Sequence, residues 1–187
     1  MKRSIVVGIS GASGIIYGIR LLETLKSLEV ETYLIMSEWA EKNLSLETDY
    51  SLTWVESLAT QRFDNNDLTA PIASGSFLTE GMVIAPCSMK TLAGVANGYS
   101  ANLLERTADV TIKEGRKLIL IPRESPLSAI HLGNMLKLAQ IGIIIAPPMP
   151  AFYCKPNSIL ELVDQQVGRI TDLLGLENRH VERWGQR

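Results

Sequence analysis

The stretch SIVVGISGASGIIYGIRLLETLKSL, Ser4 to Leu28, decides the fold. Its first part, Ser4 to Ile9, is a continuous apolar run, the pattern of a strand buried on both faces. Its last part has helical spacing. Ile19, Leu22 and Leu25, with Leu21 and Leu28, gather on one side, while Arg20, Glu23 and Lys26 face water. Between them, GISGASG places Gly8, Gly11 and Gly14 at a tight turn. A strand, a glycine turn and a surface helix make the first half of a βαβ unit, whose helix covers a sheet.

Working outward, similar short apolar runs recur at Thr32 to Met36, Met82 to Ala85, Leu118 to Ile121 and Ile141 to Ala146. Helical segments separate them. SANLLERTADVTIKEGRK opens with Asn102 three residues before Glu105, a cap with its partner, and reaches a stop at Gly115. SPLSAIHLGNMLKLAQIG predicts a second helix with Ser125 as cap, Pro126 at the first helical position and Gly142 near its end. Alternation of this kind predicts an open, mostly parallel α/β sheet with helices on both faces. Without repeats, low-complexity tracts or linkers, residues 1–187 are expected to form a single domain.

Composition narrows the function. The chain has 187 residues, 46% hydrophobic and 20% charged, with a formal net charge of −2, so no global field gathers nucleic acid or an anionic membrane. Its longest uncharged stretch, LAQIGIIIAPPMPAFYC, is broken by prolines and does not suit a bilayer-spanning helix. The two cysteines, Cys87 and Cys154, are too few for a disulfide framework, and two histidines make a His-based metal site improbable. A cytoplasmic protein without a metal is expected.

The glycine turn fails as a dinucleotide loop. G-x-G-x-x-G needs its second glycine where Ser10 stands, and the spacing here is three and three. A Walker loop is excluded because no Gly-Lys-Ser or Gly-Lys-Thr is present. What remains is a nest of backbone N–H groups with two hydroxyls, suited to one phosphate or to a flavin edge. Other strand ends carry Ser37, Pro86-Cys87-Ser88, Pro122-Arg123-Glu124 and Pro147-Pro148. In an open α/β sheet ligands bind there, beside helix N-termini. Singly, these residues suit ordinary turns and caps; their recurrence marks one edge of the sheet as the candidate site.

Taken together, GISGASG, LETDY, SGSF, PCSMKTLAGVANG, NLLERTADVTIKEGRKLILIPRESPLSAIHLGNMLKLA, PPMPAFY and the terminal RWG resemble, in order and spacing, the UbiX family of flavin prenyltransferases. The UbiX-like subunits of phenolic-acid decarboxylase systems are especially similar. The resemblance implies a Rossmann-like, flavodoxin-related three-layer domain that binds FMN. It implies transfer of a dimethylallyl group from dimethylallyl phosphate to N5 and C6 of reduced FMN, giving prenylated FMN for a UbiD-type decarboxylase. It also implies a homo-oligomer, a dodecamer with sites at subunit contacts, and a tail of about 175–187 on a neighbouring subunit.

Position by position, the resemblance assigns Gly11, Ala12, Ser13, Ser37, Ser88, Met89, Lys90, Thr91 and Arg123 to FMN. It assigns Tyr153 and Arg169, helped by Arg106 and Lys113, to the dimethylallyl phosphate. Glu124 is the candidate acid/base group, with Ser13, Glu47 and Trp184 at further active-site positions. The chemistry suits these types. Expelling phosphate from an allylic carbon calls for fixed cations and an electron-rich wall, which Trp184 would supply, and closing a ring on the flavin calls for a base. Arg106 and Lys113, seven apart, share a helix face, and both charges are expected at one anion. Arg123 beside Glu124 also suits a structural ion pair.

Blander roles fit the rest. Cys87, Cys154, His131, Trp39 and Trp54 are expected to pack or to serve structure. Gly133 departs from the family, which commonly carries Glu there, and as a glycine inside a helix it costs about 1 kcal/mol relative to Ala. Two alternatives stand beside prenyl transfer. An FMN-dependent cysteine decarboxylase of the same fold usually shows a His in its first flavin region and a PASANT-like segment, where this chain has PCSMKT. A non-catalytic flavin-binding accessory subunit would not need the cations.

Overall fold

The structure is a computed structural model and describes residues 3–177 and 185. The opening stretch folds as its pattern predicts, with β1 (Ser4–Ile9), a glycine turn and α1 (Ile15–Ser27). There follow β2 (Glu31–Met36), α2 (Glu38–Glu47), the short α3 (Leu52–Glu56) and β3 (Gln61–Asp64). The second half brings β4 (Gly81–Cys87), α4 (Met89–Ala96), α5 (Leu103–Lys113) and β5 (Lys117–Pro122). It ends with α6 (Ala129–Gln140), β6 (Ile144–Ile145) and α7 (Ile159–Leu174).

All six strands pair in parallel, in the order β3-β2-β1-β4-β5-β6. This is the strand order of the dinucleotide-binding sheet; without the edge strand β3, the remaining order is that of flavodoxin. The chain reverses direction across the sheet between β1 and β4, so a crevice is expected at their carboxyl ends. Strand faces alternate. Ile5, Val7 and Ile9 join a core with α1 and α7, while Val6, Met82, Ile84 and Leu118 pack on α4 and α5.

Three expectations need correction. The apolar run Ile141 to Ala146 is mostly helix end and loop: α6 continues to Gln140, Gly142 takes a left-handed φ of 88°, and only Ile144–Ile145 pair. The α6 cap is Ser128, not Ser125. Ser128 gains a reciprocal partner, its Oγ accepting from the His131 amide at 3.2 Å while its own amide donates to His131 Nδ1 at 3.3 Å. The strand β3 was not foreseen, because QRFD reads as polar and only Phe63 is buried.

A candidate flavin site at the carboxyl edge of the sheet

A cleft of about 1100 Å³ opens at the carboxyl ends of β1, β2, β3 and β4. Gly11, Ser37, Ser88, Lys90 and Thr91 line it, so the first, second and third chemistry-bearing strand ends meet. Ser10 holds β1 and β4 together below the cleft. Its buried hydroxyl donates to Pro86 O at 2.9 Å and accepts from the Ser88 amide at 2.7 Å. Ser10 is therefore a brace rather than a ligand group.

The N-termini of α1, α2, α4 and α5, four of the helices that start along this edge, are treated differently. At α1, Gly14 has a φ of 99° and no side chain, and a distant carboxylate supplies the cap: Glu47 Oε2 accepts from the Gly14 amide at 2.8 Å and the Ile15 amide at 3.1 Å. At α5, Asn102 accepts from the Glu105 amide at 3.0 Å, as its spacing predicts, and Asn65 accepts from the Leu103 and Leu104 amides at 2.8 and 3.0 Å. Both ends are closed by the chain itself. At α2 and α4, Ser37 and Ser88 cap only the Ala40 and Thr91 amides. Among the described residues, the chain offers no acceptor to the first two amides of either helix, Glu38 and Trp39 or Met89 and Lys90. These two open N-termini face one cleft.

The remaining sequence-predicted residues divide. Ser13 is exposed on the glycine turn, and Ala12 is buried, so a ligand meets only its backbone. Met89 sits half-buried on the first turn of α4. Arg123 and Glu124 are exposed just beyond β5; no ion pair joins them, and Glu124 Oε1 accepts from the Ser125 amide at 3.0 Å. Tyr153, 44% exposed, accepts at its hydroxyl from Gln165 at 3.2 Å, and Arg169 is exposed on α7. These four lie outside the lining of the cleft. Trp184 and the tail from 178 to 184 lie outside the described residues.

Arg106 and Lys113 both reach the 73–75 loop, each with an acidic partner, and neither lines the cleft. The Arg106 guanidinium donates to Ala73 O at 3.2 Å and pairs with Asp109 at 2.8 Å, while Lys113 pairs with Glu114. Lys113 is the last residue of α5, whose first turn is the part that meets the cleft.

Two other readings change. Trp39 is not a packing residue: it is 64% exposed, lines the cleft, covers Gly11 so closely that a Cβ there would collide with it, and carries the Lys42 ammonium 4.4 Å from its ring centre. Arg62, Asp64 and Asn65 also line the cleft, on the unforeseen β3 and its exit turn. Cys87 does pack, fully buried, and burial pushes its thiol far up. His131 serves the α6 cap, and Trp54 stacks on Tyr50 at 4.4 Å. Among the described residues, no group of His, Cys, Asp and Glu could hold a metal ion, and no helix is long and apolar enough to cross a membrane.

An open parallel sheet with hydroxyls and unclosed helix N-termini at one crevice defines a mononucleotide-binding class of α/β protein. The family model that matches residues 1–173 is Flavoprotein. Flavin prenyltransferase LpdB of Lactiplantibacillus plantarum is 57% identical over 185 residues, 98% of each chain. A crystal structure of AnUbiX (PadA1) in complex with FMN and dimethylallyl pyrophosphate superposes with a TM-score of 0.98 at 49% identity, covering all of both chains. A dodecameric FMN-dependent UbiX-like decarboxylase from Escherichia coli O157:H7 gives 0.95 at 49% identity, covering 97% of this chain and 98% of that one. By contrast, the peptidyl-cysteine decarboxylase EpiD shares 15% identity at a TM-score of 0.63, covering 81% and 84%, a likeness of fold alone. The chain belongs to the UbiX-like flavin prenyltransferases.

Proposed function

We propose that the chain joins a dimethylallyl group from dimethylallyl phosphate to N5 and C6 of reduced FMN, and that the resulting prenylated FMN serves a UbiD-type decarboxylase. The observation that carries the FMN half is the pair of unclosed N-termini of α2 and α4 on a cleft of about 1100 Å³. Their amides, with the Ser37 hydroxyl and the Thr91 hydroxyl that accepts from Ser88 at 3.1 Å, form a donor set suited to a mononucleotide. Reduced FMN supplies the electron-rich acceptor atoms. Gly11, Ala12, Ser13, Ser37, the segment Ser88 to Thr91 and Arg123 hold it. Lys90 adds a cation at α4, whose first turn has no acid.

In this reading Tyr153 and Arg169 bind the phosphate of the donor, and Glu124, exposed beside β5, takes the proton released as the new bond forms. Arg106 and Lys113 reach that phosphate from a second copy, since one chain keeps Lys113 at the far end of α5. A homo-oligomer follows, and the E. coli relative's dodecamer supports it. The chain acts as a single domain over 1–187, its tail from about 175, with Trp184, on a neighbouring copy. It works in the cytoplasm.

Anaerobic incubation with reduced FMN and dimethylallyl phosphate, followed by mass analysis of the released flavin, tests the reaction. A gain of one dimethylallyl unit is expected. Unmodified FMN from folded, flavin-loaded protein would overturn it and favour an accessory role.

A further inference from the structure

The strand order is that of a dinucleotide-binding sheet, and the cleft runs on past the open N-termini to Glu41, Arg62, Asp64 and Asn66, beside β2 and β3. In a sheet of this order that side receives the second nucleotide. The pyrophosphate lies on the bare backbone of the glycine turn after β1, and the ribose beyond it meets an acid at the end of β2. An acid stands there in this chain too, since Glu38 follows β2 and lines the cleft. At about 1100 Å³ the cleft is at the upper end of small-ligand sites, so its size does not hold it to one nucleotide.

Trp39 occupies the crossing between the glycine turn and β2. Gly11 bares its backbone, but the space it clears is taken by the Trp39 side chain, with which a Cβ at Gly11 would collide. The indole is 64% exposed and lines the cleft, a placement that core packing does not explain. The Lys42 ammonium lies 4.4 Å from its ring centre and donates to Glu38 Oε1 at 2.6 Å, which also engages the acid at the end of β2. Lys42 does not line the cleft, so the indole stands between the ammonium and the cleft. The Trp39 amide is one of the two that α2 leaves open, so a phosphate received there has the indole beside it, on the side of the glycine turn. We infer that Trp39 is a specificity-determining residue that restricts the cleft to FMN: its indole, backed by Lys42, blocks the path that the second phosphate and adenosine of FAD would take across Gly11 toward β2. FMN ends at this wall, whereas FAD has to displace the indole from Gly11 and Lys42. The inference rests on the proposed function for the identity of the ligand and on no step of prenyl transfer.

The test titrates the full chain with oxidised FMN and with oxidised FAD, read by calorimetry, with no dimethylallyl donor present. The wild type should prefer FMN by about a hundredfold or more. Trp39→Ala should bind FAD about tenfold more tightly than the wild type does, a gain that a merely structural loss would not produce. Trp39→Phe, which keeps a ring over Gly11, should recover most of the preference. Lys42→Ala, away from the cleft, should lower it by about two- to fivefold, the strength of one exposed cation–ring contact. A wild type that takes FAD as readily as FMN, or a folded Trp39→Ala with no gain for FAD, overturns the inference. If Trp39→Ala does not fold, an unchanged preference in Lys42→Ala overturns it instead. A chain that shows the preference through Trp39 but does not prenylate FMN would count against the proposed function and leave the selectivity role standing.

Discussion

Replacing Ser10 by Ala should damage both stability and flavin binding, because its hydroxyl joins the two strands between which the crevice opens. The side chain is 1% exposed, donates to Pro86 O at 2.9 Å and accepts from the Ser88 amide at 2.7 Å. Pro86 O keeps a second partner after the change, the Ser10 amide at 3.2 Å, so its loss is small. The Ser88 amide keeps none. An unsatisfied buried donor costs about 1–3 kcal/mol, and because this one is only part-buried beside the cleft, about 1 kcal/mol is the expected loss. For a domain of this size that corresponds to roughly 2–4 °C in Tm, measured by thermal shift at one fixed protein concentration. Since Ser88 is the cap of α4, the same change should weaken FMN, read by quenching of flavin fluorescence on titration. A control at Ser57, whose exposed hydroxyl only returns to Trp54 O, should move neither. A Ser10→Ala protein within 1 °C of wild type would refute the bracing role, whatever its activity.

Gly133→Ala should raise stability by about 1 kcal/mol, because the helix gains a better former and an added Cβ meets nothing within 4 Å; chemical or thermal unfolding of the variant checks it. Cys87 should resist alkylation in the native protein, since burial raises its thiol and hides it, and should react once the chain is unfolded; peptide mapping after labelling reads this out. Glu124→Gln and Lys113→Ala should each abolish turnover while retaining FMN. If Lys113 serves a neighbour's site, mixing the two variants under subunit exchange should restore about a quarter of wild-type activity, and no recovery in verified hybrids would place both groups in one chain's site.

Much of this architecture follows from local pattern. The strand runs beginning at Ser4, Met82 and Leu118 are apolar because both faces of a central parallel strand are covered, and the Asn102 cap is written within four residues of chain. Elements whose identity depends on a distant partner were not legible. β3 needs only Phe63 buried because it is an edge strand, so its composition looks like a loop. The α6 cap is Ser128 and not Ser125 for a local reason, its exchange of hydrogen bonds with His131 three residues on. Helical spacing put Arg106 and Lys113 on one stripe but did not say what that stripe faces, which is the 73–75 loop and not the cleft. Trp39 resembled any apolar residue until the fold set it over Gly11 at the rim.

The site itself illustrates why a glycine-rich turn is a poor witness taken alone. Among the helices that begin at the carboxyl edge are α1, α2, α4 and α5, and each exposes amides that want an acceptor. Glu47 closes α1 across 33 residues and Asn65 closes α5 across 39, while α2 and α4 receive only the single serine each carries at its cap. Which N-terminus remains available to a ligand is therefore fixed by what the chain has not already spent its own acceptors on. GISGASG looks like the phosphate loop and is the turn that is internally capped; the plainer MSEWA and CSMKT supply the open amides. Any protein of this strand order that kept the glycine spacing but replaced the Glu47 acceptor by an apolar residue would face the opposite division, with α1 left open to an anion.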